Sequence, residues 1–226
     1  GVRLTAGHTG LAAEFVKGAV LTYPVANHLN GDRGTLSLWV RPNWDSINAF
    51  GDRFLWGVAN PDGGGRTVLG FLGKDGLGTL YFGDDGALMG LAAPVDWRAG
   101  EWHPITVCWD VVAKCRALYI DGQLRHHIFT TAGMPRQAEV FHVGSLPCTT
   151  RWMGVQDGHE ADAAIDDLTL SAGIDMPGFD LVRQAAREEE KAIARNQQSR
   201  EKARPAYESA WEDRKSTRLN SSHTIQ

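Results

Sequence analysis

At 226 residues, 42% of them hydrophobic and 22% charged, the chain is composed like a globular protein of one large or two small domains, not like a disordered or fibrous one. Its formal net charge of −4 leaves no electrostatic footprint for nucleic acid, and no apolar run approaches the roughly 20 residues of a membrane-spanning helix. Three cysteines, Cys108, Cys115 and Cys148, have neither metal-ligand spacing nor an even count, which points to buried or free thiols and away from a zinc site or a disulfide framework.

Gly1 stands where a start methionine would, and strand-like sequence follows at once. The native N-terminus, with any signal peptide, is expected to lie outside the chain. Thr35 to Arg41 alternates, with Leu36, Leu38 and Val40 on one face, and stops at Pro42; a loop carrying Trp44 among Asn43, Asp45 and Asn48 follows. Gly63-Gly64-Gly65 reads as a hairpin tip, and Thr79 to Phe82 runs into another at Gly83-Asp84-Asp85-Gly86. Ile105, Val107 and Trp109 share one face of the next strand, which leaves Thr106 and Cys108 on the other. Ala117 to Ile120 enters the tight turn Asp121-Gly122. Val140 to Gly144, a long connection over 145–158 and a closing strand from Ile165 to Leu170 complete the series. Many short strands with Gly/Asp turns and no helix between them predict a sandwich or barrel.

After Gly178 the pattern changes. Over 181–204, Leu181, Val182, Ala185, Ala186, Ala192 and Ile193 fall at roughly helical spacing among charged runs, until Pro205 interrupts. The stripe reads as too thin to add much to a core, so a chain ending near Gly178 is expected to fold alone. Asp213 to His223 is the codon-by-codon translation of a common short-read sequencing adapter, so residues 213–226 are expected to be non-native and dispensable. The expected division is a sandwich over 1–173, a linker and charged helix over 174–212 leading toward a missing region, and the adapter-derived tail.

Three segments carry a family resemblance: Gly34 to Pro42 with Trp44; Glu101 to Asp110 followed by Leu118 to Gly122; and Ile165 to Leu170. In order and spacing the chain resembles the concanavalin A-like lectin/glucanase superfamily, in its laminin-G-like and pentraxin-like branch, from about Leu4 to Ser171. The resemblance implies an all-β, two-sheet antiparallel jelly-roll sandwich and an extracellular or cell-surface module joined to neighbouring domains. It also puts Cys108 where pentraxin-like members hold half a disulfide, although the Thr35–Val40 strand offers no partner cysteine.

Glucanases of the superfamily use Glu-x-Asp-x-Glu or Glu-x-Asp-x-x-Glu on one strand face, one carboxylate as nucleophile and another as acid/base. The only Glu-x-Asp here, Glu160-Ala161-Asp162, has Ala164 and Ile165 where a third acid belongs, so catalysis is not expected. His126-His127 reads as a solvated strand end and His103 as a strand-edge residue. Sugar binding uses flat rings with a few polar groups, which nominates Trp44, and Trp152 with Arg151 and Asp157; capping of the core is the other reading of both tryptophans. Asp166 shares its phase with Leu168 and Leu170 and would point inward, where a carboxylate needs a partner. The resemblance implies a structural calcium ion there, the one cofactor expected; a bulge that turns Asp166 outward is the alternative. The function expected is a non-catalytic recognition module for a glycan or protein ligand, with a ligand-free spacer or a divergent glycoside-hydrolase-associated domain as alternatives. Neither nucleic acid nor a membrane span is expected.

Overall fold

The computed structural model describes residues 1–16, 18–49, 51–61, 65–73, 78–84, 90–146, 160–174 and 176–221. Among these residues thirteen strands precede one helix: β1 (Val2–Ala6), β2 (Leu11–Phe15), β3 (Leu21–Pro24), β4 (Arg33–Pro42), β5 (Arg53–Ala59), β6 (Arg66–Leu72), β7 (Thr79–Asp84), β8 (Leu91–Pro94), β9 (His103–Asp110), β10 (Cys115–Ile120), β11 (Gln123–Phe129), β12 (Val140–Val143), β13 (Ala163–Ser171) and α1 (Phe179–Ser221). They form two sheets, β1-β2-β13-β4-β9-β10-β11 and β3-β12-β5-β6-β7-β8, and the paired strands are antiparallel. The expected jelly-roll sandwich is the observed fold.

Burial follows the alternation of β4. Leu36, Leu38 and Val40 enter the space between the sheets with Val107 and Trp109 of β9 and meet Phe71, Leu80 and Phe82 from the second sheet. Gly34 is required where β4 passes under Trp109, because a Cβ there would stand 2.5 Å from the indole and 2.7 Å from the Ser171 carbonyl oxygen.

The outer face of the seven-stranded sheet has a second apolar cluster. Cys108, Cys115, Ala117 and Tyr119 lie on it, and Phe179, Val182 and Ala186 of α1 cover them. Arg183 Nη2 bonds Asp110 Oδ2 at 2.9 Å and ties the helix to the end of β9. Of the stripe expected to add little to the core, only the first two turns pack, and they do so on the face left by Thr106 and Cys108. The compact unit accordingly runs Gly1–Ala186 and takes in a helix start that the sequence assigns to the linker. The remainder, from Arg187, is a unit of its own. It is a polar helix with Glu188–Lys191 and Arg204–Glu208 ion pairs at 2.9 and 2.8 Å, and it continues through Pro205 where the sequence predicts a stop. A proline there forfeits one backbone bond, and the Arg204–Glu208 pair one turn apart brackets the position.

Candidate functional site

The same outer face changes character toward β4 and β13. Alternation turns Trp39 and Arg41 away from the core, and the register Val40↔His103 brings Trp102 opposite Arg41. Over this surface folds the β1–β2 turn, closed by Gly7 N–H donating to the Gly10 carbonyl at 3.0 Å. His8 stacks on Trp39 at 3.6 Å between ring centroids and 12° between planes, with Trp102 edge-on to it at 6.3 Å. Arg41 lies over the Trp102 ring, 5.1 Å from its centroid, and donates to Ala6 O at 3.3 Å and Thr5 Oγ1 at 3.4 Å. Neither Trp39 nor Trp102 belongs to a core cluster, and both are half-buried. The result is a polar-edged aromatic platform: two indoles, an imidazole and a guanidinium on a sheet surface, without an apolar cover among the described residues.

Asp166 pins the turn that builds this platform. Its Oδ2 accepts from Thr9 N at 3.1 Å and its Oδ1 from Asp167 N at 2.9 Å, while Gly7 leaves the room that a Cβ would take from Oδ2. Of the two readings of Asp166, the bulge is the one found, although it does not return the carboxylate to water: Asp166 pairs Trp39 but Thr169 pairs Ser37, so one residue is inserted, and Asp167 takes φ +47°. The insertion flips the phase. Leu168 and Leu170 reach the core, whereas Asp166 stands on the outer face beside Trp39, 8% exposed. Two backbone N–H groups meet the charge there. Calcium takes several oxygen ligands together; among the described residues no three of His, Cys, Asp and Glu gather as metal ligands.

Trp44 resolves into the core-capping alternative, which corrects its nomination as a sugar platform. It is 8% exposed, packs on Phe71 at 4.2 Å, and donates Nε1–H to the Ala161 carbonyl at 3.1 Å. Trp152, Arg151 and Asp157, like Cys148, lie outside the described residues. Glu160 and Asp162 serve as caps: Glu160 Oε1 accepts from Gly18 N at 2.9 Å and Asp162 Oδ1 from Asn43 Nδ2 at 3.3 Å. Thr35 stands opposite Cys108, with its hydroxyl 3.6 Å from the sulfur. Burial pushes the Cys108 and Cys115 thiols up to about 11, so both are poor nucleophiles at neutral pH. His126 is not simply solvated: its Nδ1 accepts from Ala92 N of β8 at 2.9 Å. His103 lies against a hollow of about 370 Å³ at the end of the sandwich, stacked on Trp97 at 4.7 Å.

Trp39, Trp102, His8 and Arg41 were missed from sequence. For Trp39 and Arg41 the signal existed, since alternation with Leu38 and Val40 already placed them on the non-core face.

The two-sheet sandwich carries this half-buried aromatic platform on its outer face. Residues 17–172 match the family model of the concanavalin A-like lectin/glucanases superfamily, and the chain belongs to that superfamily. No curated protein matches it in sequence. Among solved structures it is similar to domains LG4-5 of the mouse laminin alpha1 chain, at 17% identity and TM-score 0.55, with 76% of this chain covering 44% of that one. It is similar too to domain 4 of AbnA, an extracellular arabinanase of Geobacillus stearothermophilus solved with arabinotriose, at 18% identity and TM-score 0.54 over 76% of both chains. A third is the heptameric SAP-like pentraxin of Limulus polyphemus, at 14% identity and TM-score 0.51 over 82% of this chain and 79% of that one. The chain thus spans less than half of the laminin pair. Domains of this fold commonly bind carbohydrate or protein ligands. Among the described residues no helix is long and apolar enough to cross a membrane.

Proposed function

We propose that the domain is a non-catalytic carbohydrate-binding module of an extracellular or surface multidomain protein, and that it holds its ligand on the outer-face platform of Trp39, Trp102, His8 and Arg41. One observation carries the reading: two tryptophans stand half-buried on a sheet face and belong to no core cluster. Large aromatic rings left at a surface cost solvation and repay it by stacking on a ligand. The flat face of a sugar ring suits an indole, and Arg41 and His8 supply polar groups at its edge. The arabinanase domain solved with arabinotriose adds analogy from the fold. The one Glu-x-Asp pair is engaged in capping, which speaks against a retaining or inverting carboxylate couple.

The test is a glycan array followed by gel retardation in soluble arabinan, xylan and β-glucan, with reducing ends assayed in parallel. Retention by at least one polysaccharide without release of reducing sugar is expected. Hydrolysis, or no retention on any glycan, contradicts the reading.

A further inference from the structure

We propose that the hollow at the end of the sandwich is a second ligand site, built to hold one neutral sugar unit or a polyol of that size. It does not rest on the outer-face platform. Its walls come from three separate stretches: the segment after β8 with Val95, Asp96 and Trp97, the first residue of β9, His103, and the β10–β11 hairpin with Asp121 and Arg125. A volume of about 370 Å³ lies at the small end of the roughly 300–1,000 Å³ typical of small-molecule pockets.

The polar groups there are held in place rather than solvated at random. His103 is sandwiched into position: its ring stacks on the buried Trp97 with 11° between planes, and its Nδ1 lies 3.2 Å from Asp121 Oδ1. Its Nε2 is buried with no hydrogen-bond partner, and the nearest carboxylate oxygen, Glu101 Oε2, is 3.9 Å away. That unpartnered nitrogen, on a residue that lines the hollow, is a polar group that a ligand hydroxyl can satisfy. Asp121 adopts φ +53° at the hairpin turn, and Arg125 is steadied by one Nη2–H bond to the Pro94 carbonyl at 3.2 Å. That bond uses one of the five guanidinium donors.

The mixture of groups selects the ligand. Asp96 and Asp121 accept hydrogen bonds, Arg125 donates them, and Val95 supplies an apolar wall. Neighbouring hydroxyls, each donor and acceptor at once, satisfy both kinds of partner. An anionic ligand would meet Asp96 and Asp121, and an apolar one would strip water from both without replacing it.

Saturation-transfer NMR on the full chain, with glucose, galactose and arabinose at millimolar concentration beside glucuronate and glucosamine, tests this. Transfer to at least one neutral sugar is expected, lost in both Asp121→Asn and Arg125→Ala while their melting temperatures stay near the parent's. Absence of transfer, transfer to the charged sugars alone, or transfer that survives both pocket substitutions overturns the proposal. Loss of polysaccharide retention in Trp102→Ala bears on the platform only, so the two readings fail separately.

Discussion

The two halves of one sheet face are covered in opposite ways. Over β9 and β10 the cover is apolar: Phe179, Val182 and Ala186 close on Cys108, Cys115, Ala117 and Tyr119 and shut out water. Over β13 and β4 the cover is a four-residue turn pinned by Asp166, and it leaves Trp39 and Trp102 half-buried. The first half has the composition of a core and stabilises the fold. The second has rings and charges held in fixed positions in place of an apolar cover, and the proposed binding is assigned to it.

If that contrast is right, substitutions in the apolar half should act on stability most strongly. Phe179→Ala is expected to cost about 3–5 kcal/mol, because a 2% exposed ring leaves a cavity over the sheet; chemical denaturation measures it. A loss under about 1 kcal/mol would mean that the helix start is not part of the folded unit. Alkaline pH should act on the same half. The folded thiols of Cys108 and Cys115 are raised by burial from 9.0 to about 11, so the unfolded chain ionises first, and their contribution, full below pH 9, drains as pH rises toward 11. Thermal melts across that window should fall more steeply in the parent than in the Cys108→Ala, Cys115→Ala double variant. Equal slopes would place the thiols in contact with water.

In the polar half the effects shrink. Asp166→Ala leaves the N–H groups of Thr9 and Asp167 without their acceptor, for an expected loss of about 1–3 kcal/mol. That loss should be the same with calcium or with a chelator present. Calcium stabilisation of the parent that disappears in the variant would instead put a cation at this carboxylate.

What the sequence disclosed was whatever depends on strict period-2 repetition. The core face of β4, the inward set of β9 and the Asp121-Gly122 turn could all be read directly, because neighbours in the chain decide them. For Asp166 the sequence left two readings, inward or turned by a bulge, because a single inserted residue reverses every side chain beyond it and period-2 counting alone does not choose between them. Trp44 looks like a loop residue, yet it is buried by Ala161 and Phe71, partners distant in sequence. The platform was hidden for the same reason. Alternation exposes Trp39, but its company depends on a turn from β1–β2 crossing β13, a long-range event that no local pattern encodes. The helix was half legible: Val182 and Ala186 pack as their spacing suggested, whereas Leu181 stays 69% exposed and Phe179 carries the contact.

The central claim, that Trp102 is a ligand-binding ring and not a structural one, is tested most directly by setting Trp102→Ala beside Trp44→Ala in one titration series against a retained polysaccharide. Trp102→Ala should weaken binding roughly thirtyfold, about 2 kcal/mol, as truncated aromatic anchors do, while unfolding free energy stays within about 0.5 kcal/mol of the parent. Trp44→Ala should destabilise the fold by about 3–5 kcal/mol and leave the affinity of the folded fraction unchanged. Full affinity in Trp102→Ala, or a loss of stability in it as large as that of Trp44→Ala, would contradict the account.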